Sequence, residues 1–238
     1  DELQGPPEPL GEGSYAVVWR MRRRGTGEPV ALKVVEKRPV DIRGMLPQLH
    51  SEVRIQAALR HRHILRLLSS FDDEAYVYLL LEHCGGGCLQ DCCEAQPWGR
   101  LPEARAARYL AQVLQGLAYI HGHRVVHRDL KAQNVLLADG DEVRICDFGW
   151  SAELRENHAL RSACGTPCHW PPEVFEGLDQ DVGVDLWALG ILAYRVLVGH
   201  LPFWGSQEEL RAKVLMVDVR YPPGLLSDEA MDFTSSLL

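Results

Sequence analysis

Positive charge is what this chain most plainly lacks. Its 25 Lys and Arg are outnumbered by 33 Asp and Glu, giving a formal net charge of −8. A nucleic-acid-binding surface would be basic, so no nucleic-acid partner is expected, whereas basic protein partners suit the balance. No apolar run reaches the roughly 18 residues that a transmembrane helix needs, so no membrane span is expected. The opening DELQGPPEPL has no basic segment ahead of an apolar one, and no signal peptide is read from it. The seven cysteines are odd in number and are not spaced as pairs, which excludes a secreted disulfide framework and points to a reducing, intracellular setting. Four of them, Cys84, Cys88, Cys92 and Cys93, crowd together. As zinc ligands they lack a second Cys/His pair at finger-like spacing; as small reduced residues on a loop and the helix after it they need no metal, and this second reading is favoured.

What remains is ordinary globular material: 238 residues, 46% apolar and 24% charged, enough for one large domain or two small lobes. Residues 10–23 and 30–37 are apolar, β-branched runs joined by a Gly-Thr-Gly-Glu-Pro turn, the pattern of a hairpin. Residues 49–61 carry Leu49, Val53, Ile55 or Gln56, and Leu59 near a 3.6-residue period, which predicts a helix. Two more strands are expected over 64–73 and 75–84. Gly85, Gly86 and Gly87 then form the clearest joint in the chain, a place that bends freely. Beyond it the pattern turns helical. Residues 101–122 place Leu110, Val113, Leu114, Leu117 and Ile120 on one face with Pro102 at the start. Residues 185–199 are so uniformly apolar that their helix should be buried on most sides.

The stretch HRDLKAQN, residues 127–134, packs His, Arg, Asp, Lys and Asn tightly between apolar Val125-Val126 and Val135–Leu137. It is either a well-satisfied polar turn or a catalytic loop held by two strands. Other segments decide between these. In GEGSYA (11–16), Gly11 and Gly13 let backbone N–H groups approach phosphate oxygens. No helix follows as a dinucleotide fold requires, and the Walker-type G-x-x-x-x-G-K-[ST] is absent. Lys33, inside the apolar strand Val30-Ala31-Leu32-Lys33, must be paired if it points inward, and Glu52 in the following helix is the natural acid. Asp129 can accept a proton from an attacking hydroxyl, and Lys131 can neutralise a transferring phosphoryl group. Asn134 and Asp147, the latter in CDFGWS, offer hard oxygens for Mg²⁺. Each piece has a purely structural explanation; the whole ordered set, ending in Pro171-Pro172-Glu173, points to the catalytic loop.

From residue 10 to its last residue the chain resembles the eukaryotic protein kinases. The resemblance implies an α+β, bilobal fold: a β-rich N-lobe over residues 1–84 and an α-helical C-lobe over 85–238. It implies ATP and Mg²⁺ as cofactors and protein substrates with Ser/Thr acceptors, since Lys131 and Thr166 in CGTP resemble the serine/threonine branch. DFGWS, SEVRIQAALRHRHILRL, PPEVFEG and VDLWALGILAYRVLVG resemble the Aurora kinases, as does Gln56, four residues after Glu52. Ala16 and VYLLLEHC resemble the polo-like kinases, the second reading. The resemblance further implies that Leu10, Val18, Ala31 and Leu136 wall the adenine pocket, that Leu81 is its gatekeeper, and that adenine meets the backbone of Glu82 and Cys84. Asp185 would anchor the catalytic loop from below, with His127 and Phe148 in the spine joining the lobes. Ser162 falls at the activating phosphosite, where a phosphate would pair with Arg128. An activating protein docking on the N-lobe, and a place in cytoplasm and nucleus with spindle or centrosome association, follow from the same resemblance. Gln133 and Cys88 replace acids that basophilic relatives use to read Arg beside the acceptor. Kinases of this kind continue into a further helix whose Arg pairs with Glu173, so a fragment is expected here, with Glu173 unpaired at roughly 3 to 5 kcal/mol where buried. A pseudokinase scaffold is the alternative of another class, and the retained Lys33, Asp129, Asn134 and Asp147 argue against it.

Overall fold

The computed structural model of the chain describes residues 3–13, 16–155 and 159–238; Ser14 and Tyr15 of the expected glycine loop lie outside them. Strands β1 (Leu3–Glu12), β2 (Ala16–Arg23), β3 (Pro29–Glu36), β4 (Leu67–Asp72) and β5 (Tyr76–Glu82) form an antiparallel sheet in the order β1-β2-β3-β5-β4. The register sets Lys33 opposite Val18 on one side and Leu79 on the other. Ala31, Val35, Val77, Leu79 and Leu81 make the buried face. β1 begins seven residues before the strand read from the sequence, in spite of Pro6, Pro7 and Pro9. It is an edge strand with two register shifts, the setting in which a missing N–H does no harm.

Two helices cross this sheet, α1 (Lys37–Ile42) and α2 (Leu46–Ala58). The first was not anticipated. The second starts earlier than its apolar pattern, with Pro47 in its first turn, and stops where Leu59 turns extended. It buries Leu49, Glu52, Ile55 and Gln56. Two of those four are polar, so its hydrophobic periodicity is weak. Gln56 Nε2 is satisfied by Leu65 O at 3.1 Å.

The glycine segment is tied as well as bent. Gly86 N donates to Leu137 O and Leu137 N to Gly87 O, both at 2.9 Å, and a Cβ on Gly86 would stand 2.8 Å from Leu137. Helix α3 (Leu89–Glu94) follows, capped by Cys88, whose sulfur accepts from Asp91 N while Asp91 accepts from Cys88 N. All seven cysteines are free, and among the described residues no group of His, Cys, Asp or Glu could hold a metal ion of the zinc type considered above.

The helical part is built around α4 (Glu103–Gly122) and α6 (Gly183–Val198), with α5 (Pro172–Glu176), α7 (Gln207–Leu215) and α8 (Asp228–Ser235) outside them. Pro102 is the cap residue of α4. Tyr109, Leu110, Val113, Leu117 and Ile120 face the core, whereas Leu114, expected with them, is 38% exposed. α6 is buried on nearly every side, from Val184 to Val198. Each large apolar side chain fully buried this way stabilises the fold by roughly 1.5–3 kcal/mol. Two small ribbons complete the layer beneath the cleft: β6 (Val125–Val126) pairs with β9 (Ala152–Glu153), and β7 (Val135–Ala138) with β8 (Glu142–Ile145). No helix among the described residues is long and apolar enough to cross a membrane.

Candidate active site

HRDLKAQN occupies the link between β6 and β7. Arg128 has φ +64°, which a side-chain-bearing residue holds only when its surroundings compel it. Asp185, at the start of α6 and fully buried, supplies that compulsion. Its Oδ2 accepts from His127 N and its Oδ1 from Arg128 N, each at 2.8 Å, and His121 Nε2 meets Oδ2 at 2.8 Å. The ring of Phe148 meets that of His127 edge-on at 5.1 Å.

Held in this way, Asp129 is only 4% exposed and is fully engaged. Oδ1 accepts from Thr166 Oγ1 at 2.8 Å. Oδ2 accepts from Lys131 Nζ at 2.8 Å and from Asn134 Nδ2 at 3.1 Å. Lys131 Nζ also donates to Thr166 Oγ1 at 2.8 Å, closing a triangle of acid, ammonium and hydroxyl. Thr166 reaches the loop because Gly165 does: at φ +76°, a Cβ there would stand 2.4 Å from Arg128 O.

Above this, Lys33 Nζ is 2.7 Å from Glu52 Oε1 and 3.9 Å from Asp147 Oδ1. Burial opposes the Lys33 charge, but Glu52 and then Asp147 outweigh it and hold the ammonium pKa above its ordinary value. Asp147 sits at φ +64° with its side chain 45% exposed to the cleft. Asn134 Nδ2 donates to both Asp129 O and Asp129 Oδ2, which leaves its amide oxygen for another partner. A half-exposed carboxylate and an oriented amide oxygen are the hard donor set that Mg²⁺ prefers, so these residues fit that ion.

Ala31 and Leu81 are buried where Val18, Cys84 and Leu136 pack against them, an apolar slot of the kind an adenine ring fills. Glu82 N is committed to Arg66 O; among the described residues Cys84 N donates to no protein group. Leu10 is 49% exposed and stands outside this cluster. Gly11 and Gly13 lie at the sheet's exposed edge, where Gly13 N donates to Ala16 O at 2.7 Å. Ser162 is exposed; its Oγ accepts from Arg128 Nη1 at 3.1 Å, while Arg128 Nε donates to Trp150 O. Arg161 is paired with Asp179 at 2.5 Å. Glu173 is partly buried, and burial followed by nearby Asp181 raises its pKa.

Two groups escaped the sequence reading. Cys146, just before Asp147, is partly buried near Lys33, and desolvation pushes its thiol pKa up; its place directly after β8 was the signal that could have found it. His169 lies near Asp129 and Lys131, and burial drives its pKa down to about 4. Its Nδ1 is 3.3 Å from Cys168 Sγ. Nothing in Pro167-Cys168-His169 announces this.

Comparison with known proteins agrees with the geometry. The protein kinase domain family matches residues 7–238. Aurora kinase A-A of Xenopus laevis is 41% identical over 231 residues, covering 97% of this chain and 56% of that protein. Aurora kinase B of Danio rerio is 39% identical over 231 residues, covering 97% and 71%. Serine/threonine-protein kinase Aurora-2 of Arabidopsis thaliana is 39% identical over 233 residues, covering 97% and 81%. The chain thus spans little more than half the length of the Xenopus relatives.

Proposed function

The chain belongs to the protein kinase domain family, and from that premise we propose that it transfers the γ-phosphate of Mg-ATP to serine and threonine hydroxyls of proteins, as an Aurora-like kinase. The observation that carries this is the closed arrangement of Asp129, Lys131, Thr166 and Asn134. An acceptor hydroxyl beside Asp129 gives its proton to the carboxylate as its oxygen bonds to the γ-phosphorus. The bond from that phosphorus to the β–γ bridging oxygen breaks, and ADP leaves with that oxygen. Lys131 offsets charge on the transferring group, and Thr166 orients the carboxylate.

Lys33, held by Glu52, meets the α- and β-phosphates under the Gly11–Gly13 edge. Leu10, Val18, Ala31 and Leu136 flank adenine, Leu81 closes the back of the slot, and the backbone at Glu82 and Cys84 supplies hydrogen bonds. Asn134 and Asp147 hold Mg²⁺, which when bound screens the phosphate charges. A phosphate on Ser162 recruits Arg128 and orders the segment around it. Gln133 and Cys88 loosen the demand for Arg beside the acceptor. By the Aurora resemblance the protein works in cytoplasm and nucleus during cell division, at the spindle or centrosome, with an activator docking on the sheet-bearing lobe.

The test is transfer from labelled Mg-ATP to a positional serine/threonine peptide library, with Asp129→Asn beside it. A loss of about 10³-fold or more in the variant is expected. Equal transfer by both proteins, or none by the wild type in a folded, ATP-binding state, refutes the proposal.

A further inference from the structure

Glu52 reaches Asp147 only through Lys33 on β3, but α2 also has two direct links to the segment that follows Asp147. Gln48 Nε2 donates to Gly149 O, and Arg54 Nη1 donates to Glu153 Oε1. The hydrogen bond from Arg54 holds the Glu153 carboxyl below its usual pKa, and the same bond raises that of Arg54. Gln48 and Glu52 are four residues apart and share a helix face. That face looks onto Gly149, where an added Cβ would lie 3.4 Å from Glu52 Oε2. Arg54 is two residues beyond Glu52, about 200° around the axis, and reaches the segment from another side. Its partner Glu153 is on β9, whose neighbour β6 runs directly into His127.

The helix is therefore fastened at two azimuths. Gln48 and Glu52 alone would let it roll about the line of their contacts. A roll carries Glu52 away from Lys33, and Arg54–Glu153 opposes it. We infer that Arg54 and Glu153 are positioning residues for phosphoryl transfer, fixing the roll of α2 so that Glu52 holds Lys33 in register with Asp147 while no other protein is docked on the helix.

The inference rests on the kinase reading for its catalytic consequence, but not for its conformational one. Arg54 is 55% and Glu153 31% exposed. A pair this accessible adds little to global stability, yet it shifts the balance between two orientations of a helix severalfold. Arg155 also donates to Glu153, at 3.3 Å, so a change at 153 frees two cations, whereas a change at 54 leaves Glu153 paired with Arg155. A double-mutant cycle separates these effects.

The experiment compares wild type with Arg54→Gln, Glu153→Gln, the double variant and Arg54→Lys. Hydrogen exchange of the free chain reports on residues 48–56, and kinetics with one peptide from the library give kcat and the KM for ATP. Each Gln variant is expected to speed exchange across 48–56 and to lower kcat/KM for ATP by about three- to fivefold. The double variant should be no worse than the singles, and Arg54→Lys should recover most of the loss. Raising salt from about 0.05 to 0.5 M should bring the wild type down to the level of the double variant. Additive losses, unchanged exchange, or a Lys variant as impaired as the Gln variant overturns the inference. If the wild type transfers no phosphate, the kinase reading fails, and the exchange rates alone decide whether the latch exists.

Discussion

Around Asp129 the oxygens of two buried carboxylates are taken by donors of fixed position: backbone N–H groups of His127 and Arg128 on Asp185, and Thr166, Lys131 and Asn134 on Asp129 itself. Around Lys33 the contacts run between the ends of long side chains on separate elements, and Lys33, Asp147 and Arg54 all keep solvent exposure. A network of short hydrogen bonds on two buried carboxylates, to backbone at Asp185 and to neighbouring side chains at Asp129, has one arrangement of low energy. A set of part-exposed ion pairs between a sheet, a helix and a loop has several arrangements close in energy, and salt or a partner selects among them. The lower half of the site is thus built to stay put and the upper half to be set.

The comparison breaks most visibly at Asp185. Asp185→Ala strips three donors of their acceptor in a dry interior and releases the strained Arg128 backbone. A loss of about 4 kcal/mol is expected, read from the urea midpoint at low temperature. A loss under about 1 kcal/mol means that the loop is not held from below. Gly165→Ala is next. A methyl group meets Arg128 O in a backbone conformation that alanine avoids, so about 2 to 3 kcal/mol should be lost, with Thr166 displaced and transfer reduced. Lys33→Met attacks the upper half. It abolishes the charge offered to phosphate and leaves Glu52 buried alone, at about 2 kcal/mol. Lys33→Met/Glu52→Leu should restore the stability but not the transfer. A double variant that stays destabilised shows that the pair supports the fold rather than the chemistry.

The same division decides what the sequence disclosed. HRDLKAQN was legible because the lower half is local: base, ammonium and amide fall within a few residues, framed by apolar strands. The burial of α6 was legible because its sixteen residues carry only two charges, Asp185 and Arg195. The upper half was legible only where chemistry demanded a rare placement, a Lys inside an apolar strand. Arg54–Glu153 was invisible because its partners are 99 residues apart and each looks like an ordinary surface charge. β1 was hidden by prolines that an edge tolerates, and the exposed Leu114 shows that periodicity fixes a stripe's direction better than its width. Gly86 read as part of a freely bending joint and Gly165 carried no reading of its own, though each serves a close approach visible only in three dimensions.

His169 offers the finest test, because it is a titratable ring set beside Asp129 and Lys131 in the lower half. Its pKa is about 4 in the fold, pushed down by burial, with Asp129 pulling it up and Lys131 pushing it down again, against about 6.5 in an unfolded chain. The folded value is depressed, so unfolding takes up a proton between these two pH values. Stability therefore falls as pH drops below about 6.5 and levels off below about 4. Between pH 7 and 5 that single group accounts for a loss of about 2 kcal/mol. His61 and His63 are also shifted down, chiefly by burial, and add to the same slope. They are present in His169→Gln as well, so the difference between wild type and variant isolates His169. The variant should match wild type at pH 7 to within its own small packing cost and exceed wild type at pH 5, giving the flatter profile by urea denaturation. Parallel profiles would place the His169 ring in water and remove it from the floor of the site.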